Sequence, residues 1–415
     1  MDVLIVGGGA AGYFAAIASA GADNEHRVVI AEAGAKPLRK VAISGGGRCN
    51  VTHHCFEPAE LIKFYPRGAR ELRGPFSRFQ PQDTVRWFES AGVRLKTESD
   101  GRMFPQSDSS QTIIDCLEDQ RRRFDISLQT RTKIESIEKG VNRFNVSLSV
   151  ERSGLGNSSK QFDAVVIASG SSPTGYELAR KLGHTIVPCV PSLFTFKVKD
   201  RRIEDRAGIS VEHATLALRV GAEKFSAAGP LLITHWGFSG PAVIRLSAWA
   251  ARALAEQSYR ATLLVNWLGD STLEDALVQL RSEKETAGKR QVRSEPLFGL
   301  PKRLWQGICE AAAVGEDERW ATVRADKMDD LARQLTQASF GVDGKGEFKD
   351  EFVTCGGVKL AEIDFRRMES KHVPGLYFAG EVLDIDGITG GFNFQSAWTT
   401  GWIAGTSIAE RAEKI

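Results

Sequence analysis

The first 32 residues combine apolar runs and glycines in a pattern that predicts a β-α-β unit. A short apolar run over residues 3–6 stops at three consecutive glycines, and small apolar residues then continue over 10–20. A second run, rich in β-branched residues, covers 27–31 and ends at Glu32. Short apolar runs bounded by glycine are typical of buried parallel strands. The whole segment has the length of a dinucleotide-binding unit.

The next part of the chain has polar and apolar positions at helical spacing, which predicts two amphipathic helices, each followed by a short strand. Alternating or continuous apolar runs predict two further strands around a Ser/Gly/Asn turn. The predicted elements are helices over 83–91 and 109–123, strands over 93–96, 126–129, 144–150 and 162–167, a glycine-rich loop over 40–52 and a turn over 153–159.

The character of the sequence changes near residue 187, and a β-rich and then helical segment follows. The pattern there predicts strands over 194–198 and 211–218 and helices over 272–281, 301–313 and 329–338. From residue 351 the glycine-rich, β-rich character of the first part returns. The sequence therefore predicts an α/β domain formed by residues 1–187 and 351–415, interrupted by an insert domain over 188–350.

The composition is that of an ordinary globular protein. Hydrophobic residues make up 42% and charged residues 26%, which excludes a disordered or fibrous chain. The net charge of +2 is too balanced for a broad phosphate-binding footprint, so we expect no nucleic-acid partner. Six cysteines are too few for a disulfide scaffold, and we expect a cytoplasmic protein. No uninterrupted run reaches the ~18 apolar residues of a membrane helix, so we expect no membrane association.

The sharpest chemical signal is the Gly-Gly-Gly-Ala-Ala-Gly segment over residues 7–12, between the first predicted strand and helix. Gly7 allows a tight turn, Gly9 a close approach to a pyrophosphate, and Gly12 close packing of the helix on the strand. The helix N-terminus then offers free N–H groups and a positive dipole end to phosphates. Glu32 ends the second strand, where an acidic side chain accepts hydrogen bonds from ribose hydroxyls.

Two further glycine-rich segments favour FAD over NAD as the dinucleotide. Residues 44–52 (SGGGRCNVT) form a second loop whose backbone can lie flat against a large planar cofactor. Residues 375–381 end in a Gly–Glu pair able to bind a ribityl hydroxyl, and 390–393 open a helix whose dipole can point at the flavin N1/O2 edge. An NAD enzyme has no use for this distant half-site.

Together these segments resemble one family, the bacterial BaiN-like, aminoacetone-oxidase-type FAD flavoproteins of the glutathione-reductase superfamily. The matching stretches are 4–12 (LIVGGGAAG), 43–52 (ISGGGRCNVT), 101–107 (GRMFPQS), 182–186 (LGHTI), 231–241 (LLITHWGFSGP), 354–358 (TCGGV) and 375–393. The resemblance implies a Rossmann-type FAD domain in two parts, interrupted by an insert of β-barrel character with helices. It also implies a flavin-dependent redox activity, on substrates that vary widely within the family.

The motifs and the resemblance together define a set of expected cofactor-binding residues. They are Gly7, Gly9, Ala10, Ala11, Gly12, Glu32, Ala33, Lys40, Ser44, Gly46, Gly47, Arg48, Cys49, Asn50, Thr52, Ala168, Ser169, Gly170, Gly380, Glu381, Gly390, Gly391, Phe392 and Asn393. The chain departs from the family in two places: the Gly/Ser/Thr-rich loop is shortened over 168–176, and His53 stands where the family commonly has Asn.

Cys49 and Cys55 invite comparison with disulfide reductases, which carry paired cysteines just after the first nucleotide unit. Five residues separate the two thiols, and no second Gly-x-Gly-x-x-Gly for a nicotinamide follows. We therefore expect loop thiols rather than a catalytic dithiol. A metal site at Cys49, His53, His54 and Cys55 would lack the second, distant ligand pair usual for zinc, and no metal site is predicted.

Arg102 and His235 are the predicted catalytic candidates. Arg102, in a Gly-Arg-x-Phe-Pro loop, can orient a carboxylate or carbonyl, or form a structural salt bridge instead. His235 can transfer a proton near neutral pH, or be satisfied by the backbone beside a helix that starts at Pro241 with Ser239 as its N-cap. We expect the substrate to lie between the flavin ring and the insert.

Two functions stay open from the sequence. The first is an FAD-dependent oxidoreductase that transfers hydride between a small organic substrate and flavin, with NAD(P)H as a candidate transient electron donor. The second is an FAD-dependent RNA-modifying or regulatory flavoprotein that acts with a macromolecular partner. The near-zero net charge and the absence of a dense basic stripe favour the first.

Overall fold

The computed structural model describes residues 1–21, 26–150, 158–346 and 353–412. The strands are β1 (Asp2–Val6), β2 (Arg27–Ala31), β3 (Thr52–His53), β4 (Leu95–Thr97), β5 (Arg102–Pro105), β6 (Ser127–Gln129), β7 (Thr132–Lys139), β8 (Phe144–Val150), β9 (Ser158–Phe162), β10 (Ala164–Ile167), β11 (Ile186–Ser192), β12 (Phe196–Lys197), β13 (Ser210–Val220), β14 (Glu223–Thr234), β15 (Gly237–Ser239), β16 (Ala261–Asn266), β17 (Ala338–Val342), β18 (Gly344–Lys345), β19 (Val353–Val358), β20 (Ile363–Asp364), β21 (Glu369–Ser370) and β22 (Leu376–Phe378).

The α-helices are α1 (Ala10–Ala20), α2 (Arg39–Gly47), α3 (Pro58–Leu61), α4 (Ala69–Arg78), α5 (Pro81–Ser90), α6 (Ser110–Arg123), α7 (Pro173–Lys181), α8 (Pro241–Trp249), α9 (Ala251–Glu256), α10 (Leu273–Thr286), α11 (Lys302–Ala311), α12 (Ala325–Thr336) and α13 (Phe392–Ala412). Short 3₁₀ turns cover Ile62–Phe64, Trp320–Thr322, Leu360–Glu362 and Gly380–Val382. Within the described residues, none of the helices combines the length and apolar content needed to cross a bilayer.

The chain folds into two compact units. The first consists of Met1–Cys189 and Thr354–Ile415, and the second of Val190–Val353. The chain leaves the first unit in β11 and returns in β19, and these two strands pair with each other. The predicted domain limits at residues 350 and 351 lie outside the described residues, as does most of the predicted turn over 153–159.

The first unit is built on a seven-stranded sheet in the order β20-β21-β22-β10-β1-β2-β6. The strands from β22 to β6 run parallel, with Leu4 paired to Val29 on one side and to Val165 on the other. Strands buried on both faces need apolar residues at consecutive positions, which is why β1, β2 and β10 are almost purely aliphatic. The predicted β-α-β unit is therefore present, and the Rossmann-type α/β fold is confirmed.

Helices α1 and α13 pack against each other in very close contact, which small residues make possible. A Cβ added to Gly401 would lie 2.5 Å from the Ala11 carbonyl oxygen, and one added to Gly405 would lie 2.4 Å from that of Ala15. No side chain larger than hydrogen fits at these two positions. The backbones of the two helices therefore meet directly beside the glycine-rich start of α1.

The second unit is built on an antiparallel sheet in the order β17-β16-β13-β14-β15-β12-β18. Its two edge strands, β17 and β18, are consecutive in the chain and separated by Asp343 alone. A sheet whose first and last strands are one continuous stretch must curl around, as the expected β-barrel character requires. Phe238, Trp267 and Phe340 fill its interior in edge-to-face contacts.

Two local predictions are wrong. Residues 40–52 do not form a loop throughout, because α2 covers Arg39–Gly47 and leaves helical geometry only from Ser44 onward. The N-cap of α8 is Gly240, at a φ of +97°, whereas Ser239 ends β15. A Cβ at Gly240 would lie 2.7 Å from the Pro230 carbonyl oxygen, so the close passage of β14 requires glycine here.

Candidate functional site

The turn between β1 and α1 has the geometry of a phosphate-binding loop. Gly7 has a φ of +111°, and a Cβ there would lie 2.5 Å from the Ala168 carbonyl oxygen. A Cβ on Gly12 would lie 2.0 Å from the Gly7 carbonyl oxygen, so the helix packs directly on the turn. Gly9 is the N-cap of α1, and no side chain caps the first turn. Its N–H groups are therefore available to an anionic ligand.

Glu32 is fixed at the end of β2 by two backbone contacts. One carboxylate oxygen accepts the Gly8 N–H at 2.8 Å, and the other accepts the Gly34 N–H at 2.6 Å. Each oxygen keeps a second lone pair, which can accept a hydroxyl proton. The carboxylate thus lies beside the phosphate-binding turn, as expected for a ribose ligand, and exposed Ala33 follows it.

The last turn of α2 has open space beside its backbone, and the residue that follows it is held firmly in place. Gly46 and Gly47 have φ values of +69° and +83°, and a Cβ added to either would meet no atom within 4 Å. Arg48 stacks on Phe104 at 3.9 Å from the ring centroid and pairs with Glu98 at 2.6 Å. Arg48 is therefore held by this unit's own residues, while the two glycines leave room for a flat group.

The C-terminal half-site lies against both N-terminal segments. A Cβ on Gly380 would lie 2.7 Å from the Ala11 Cβ, and one on Gly391 would lie 2.5 Å from the Thr52 carbonyl oxygen. The buried Asn50 amide, oriented by its partners, accepts the Gly391 N–H at 3.0 Å. Glu381 accepts the Thr354 N–H at 3.0 Å. Residues from three distant parts of the sequence thus come together near the carboxyl ends of the central strands β1 and β22.

Further predicted ligands lie near the same strand ends. Lys40 bonds to Glu381 and, at 3.3 Å, to Ser171, so it links α2 to the C-terminal half-site. Ser169, after β10, has a buried hydroxyl with no partner among the described residues. Gly170 has a φ of +59° close to the Glu381 carboxylate. The predicted role of these residues as cofactor ligands stays a prediction.

His53 offers a free acceptor beside this site. Its Nε2 lies 3.1 Å from the Asp100 carbonyl oxygen, and because a carbonyl only accepts, Nε2 carries the ring proton. Nδ1 is then a bare acceptor, buried and with no partner among the described residues. The ring stacks on Phe392 at 4.7 Å, and burial lowers the pKa of His53, so the neutral form predominates at neutral pH.

These features fit FAD. The open space at Gly9, Gly46 and Gly47 can receive an extended dinucleotide with a planar ring, and the uncapped start of α1 can receive its pyrophosphate. The unpartnered atoms of Ser169 and His53 are of the kind that a polar cofactor or substrate satisfies.

The two catalytic candidates belong to different units. Arg102 begins β5, where its guanidinium bonds to Asp100 at 2.6 Å and to Glu98 at 3.0 Å. His235 lies exposed between β14 and β15 in the second unit. Arg102 therefore forms salt bridges, which was the structural alternative considered for it from the sequence. A catalytic role of Arg102 or His235 stays a prediction.

The cysteine pair is poorly suited to thiolate chemistry. Cys49 is buried, and desolvation raises the pKa of its thiol to about 12. Burial also raises the pKa of Cys55, and both thiols are free. A nucleophilic dithiol needs a lowered pKa on at least one of its two thiols. These surroundings therefore favour the prediction that the two cysteines are not a catalytic pair.

Motif reasoning missed the buried polar network below the site. The Gln395 side-chain oxygen accepts the hydroxyls of Thr52 at 2.6 Å and Thr84 at 2.9 Å, and its NH₂ donates to Thr399 at 3.0 Å. Trp398 donates to the Val51 carbonyl at 2.9 Å. A buried network of this kind fixes the register between α13 and the loop before β3. The available signal was the polar residues within the otherwise apolar α13.

Comparison with known proteins identifies the family. The family described as "HI0933-like protein Rossmann domain" matches residues 1–407. The chain belongs to this family. The HI0933-like chain is 29% identical to a 3-dehydro-bile acid delta(4,6)-reductase of Clostridium scindens, over 98% of both chains. It is also 29% identical to a ribosomal RNA dihydrouridine synthase of Escherichia coli, over 97% of this chain and 96% of the relative.

Solved structures support the same fold for the HI0933-like chain. A 3-ketosteroid-delta4-(5alpha)-dehydrogenase from Rhodococcus jostii aligns with a TM-score of 0.50 at 14% identity, covering 98% of this chain and 96% of that one. A flavocytochrome c3 fumarate reductase aligns with a TM-score of 0.51 at 16% identity, covering 99% and 78%. The predicted family and FAD cofactor are confirmed, and the protein is an FAD-dependent oxidoreductase.

Proposed function

We propose that this protein uses FAD to reduce a carbon–carbon double bond conjugated to a carbonyl group in a small organic molecule. The observation that carries the proposal is the chemistry shared by its full-length relatives. One is named for reducing the delta(4,6) double bonds of a 3-dehydro, that is 3-keto, bile acid. The other is named for making dihydrouridine, in which a ring double bond next to a carbonyl has been reduced.

The chain's own residues support a role in holding both cofactor and substrate. When bound, FAD supplies two-electron chemistry by exchanging a hydride with the substrate. The uncapped start of α1 would hold the pyrophosphate and Glu32 the ribose, while Gly46 and Gly47 would leave space for the ring. The N-terminal end of α13 would direct its positive dipole toward the site.

Two polar side chains are candidates for contacts with the substrate. His53 Nδ1 can accept a hydrogen bond from a substrate N–H or O–H, because it has a lone pair and no partner among the described residues. Arg102 can orient a substrate oxygen, but its guanidinium must then share or leave the carboxylates of Glu98 and Asp100. His235 stays a prediction from the sequence.

We also propose that NAD(P)H is the external electron donor and that the protein works in the cytoplasm. A reductase needs a donor for each turnover, and a nicotinamide is the general biological source of hydride for flavins. None of the six cysteines, all of which lie within the described residues, forms a disulfide, as is usual for proteins of reducing compartments.

The test is a half-reaction without oxygen. The purified protein is reduced anaerobically and mixed with a steroid 4-en-3-one, while the flavin absorption is followed. We expect the enone to reoxidise the flavin, and the matching saturated ketone, which lacks only the double bond, to leave it reduced. Equal behaviour with both ketones contradicts the proposal, as does a flavin that stays reduced with the enone and is reoxidised only when oxygen is admitted afterwards.

Uridine in RNA is the second candidate substrate, because two full-length relatives are named as ribosomal RNA dihydrouridine synthases. The net charge of +2 favours the small molecule over RNA. The same half-reaction with ribosomal RNA fragments separates the two. Reoxidation by RNA but not by the enone, with dihydrouridine found in the digested RNA, would establish the second function instead.

A further inference from the structure

Three side chains that play no part in the flavin site converge at the far edge of the first unit's sheet. His184 lies between α7 and β11, Glu362 ends a 3₁₀ turn, and His372 follows β21. One potential ligand atom from each lies within 4.8 Å of the other two. His184 is buried, while the side chain of His372 is 47% exposed, so the cluster has a sealed side and an open side.

The contact between His184 and Glu362 is close but is not a hydrogen bond. Nδ1 of His184 lies 3.2 Å from Oε2 of Glu362, yet the alignment that a hydrogen bond requires is lacking, and Nδ1 is buried without a partner. Nε2 of His372 lies 3.7 Å from the same Oε2. Two ligands bound to one tetrahedral Zn²⁺ lie side by side at roughly 3.3 Å, given bonds of about 2.0–2.1 Å. The observed separations bracket this value.

The groups around the cluster hold its ligands in place. Ser370 Oγ accepts the N–H groups of His372 at 3.0 Å and Val373 at 2.9 Å, so its own hydrogen points to Nε2 of His184, 2.9 Å away, and Nδ1 carries the ring proton in the metal-free protein. An ion bound at Nδ1 takes the place of this proton, and the Ser370 hydroxyl must then turn to accept from Nε2. Glu362 Oε2 accepts the Thr185 N–H at 2.9 Å. This hydrogen bond orients the carboxylate and leaves one further lone pair on Oε2.

We propose that His184, Glu362 and His372 form a binding site for a divalent transition metal, with Zn²⁺ as the ion that suits two imidazoles and a carboxylate. Water supplies the fourth ligand on the open side, next to His372. The bound ion would join the loop before β11 to the strands β20 and β21. Its role is structural, since none of its ligands belongs to the flavin site.

The experiment is a metal titration of the purified full-length protein after treatment with a chelator. Zn²⁺ is titrated in competition with a coloured chelator, and Co²⁺ is then added to read the coordination from its visible absorption. We expect a single tight Zn²⁺ per chain and a tetrahedral Co²⁺ spectrum without a thiolate charge-transfer band. Zn²⁺ should also raise the melting temperature, because only the folded chain assembles the site.

Matched variants locate the ion. Ser370→Ala should weaken Zn²⁺ binding by the ~10–100-fold typical of a lost outer-shell contact, and His372→Ala and Glu362→Gln should each weaken it by more than this. His213→Ala, which removes an exposed histidine of the second unit, should bind Zn²⁺ like the parent protein. FAD content should stay the same in all four variants, which separates this site from the flavin site.

The proposal is overturned if the parent protein binds Zn²⁺ no more tightly than His372→Ala. The cluster is then metal-free, with the Ser370 hydroxyl donating to Nε2 of His184 and the Nδ1–H facing Glu362. A thiolate band in the Co²⁺ spectrum also overturns it, because the ion would then be held by cysteines.

Discussion

Helices α1 and α10 begin in opposite ways. At α10, Thr272 and Asp275 cap each other: the Asp275 N–H donates to the Thr272 hydroxyl at 3.1 Å, and the Thr272 N–H donates to the Asp275 carboxylate at 2.8 Å. At α1, Gly9 offers no side chain. A helix that forgoes the ~1 kcal/mol of a cap keeps its N–H groups for a ligand and depends on packing, here on α13, for its stability.

The largest effect should come from Gly12→Ala. The new Cβ would lie 2.0 Å from the Gly7 carbonyl oxygen, so the backbone of the turn must move. We expect the overpacking to cost about 1–3 kcal/mol of stability or more, and the displaced turn to lose FAD. Thermal unfolding and the flavin content of the purified protein measure the two effects.

Gly9→Ala is the matched variant, because its Cβ would meet no protein atom within 4 Å and its φ of −93° suits any residue. We expect an unchanged melting temperature without cofactor, together with weaker FAD binding, because the methyl group occupies the space kept for the ligand. Full FAD retention in Gly9→Ala would show that the pyrophosphate does not approach this turn.

Glu32→Ala should have the next largest effect, a weaker binding of FAD. Removal of a charged acceptor for ribose hydroxyls should weaken FAD binding by about 1–3 kcal/mol. Ultrafiltration of the purified variant, with chromatography of the released flavin, gives the loss and tells FAD from FMN. Release of FMN from the parent protein, or unchanged retention in the variant, would remove Glu32 as the ribose ligand.

Thr272→Ala tests the other side of the comparison. Loss of the reciprocal cap should destabilise the protein by about 1 kcal/mol in chemical denaturation, and FAD affinity should not change. If the variant loses flavin as well, the capped and uncapped helices are not independent.

The smallest effect is expected from Cys55→Ser. Because burial raises the pKa of both Cys49 and Cys55, neither thiol is a ready nucleophile, and the rate of flavin reduction should stay nearly the same. Stopped-flow reduction measures it. A large loss of rate, with a charge-transfer band in the parent protein, would instead support a catalytic dithiol.

The parts of the site that the sequence predicted share a local cause. The turn at Gly7, the phosphate-facing start of α1 and the position of Glu32 each follow from a few neighbouring residues, so a short motif is enough to predict them. The helix over Arg39–Gly47 was missed because its three glycines are typical of loops, although only its last turn departs from helical geometry.

Contacts between distant residues could not be predicted in this way. Gln395 meets Thr52 and Thr84 only because α13 packs below the loop before β3. His184 and Glu362 meet only because β22 brings the C-terminal strands to the edge of the sheet. No spacing within the sequence encodes these pairs, since the second unit separates their members in the chain.

The pairing of β10 with β22 also affects the order in which parts of the protein fold during synthesis. Val165 pairs with Leu376, so the whole Val190–Val353 unit is synthesised before the partner strand leaves the ribosome. Until then β10 presents an apolar open edge, the kind of surface on which chaperones act and aggregation starts. The inserted unit can complete its own sheet first. The cofactor site can therefore form only after the inserted unit and the strand β22 have been synthesised, and FAD is captured after that point.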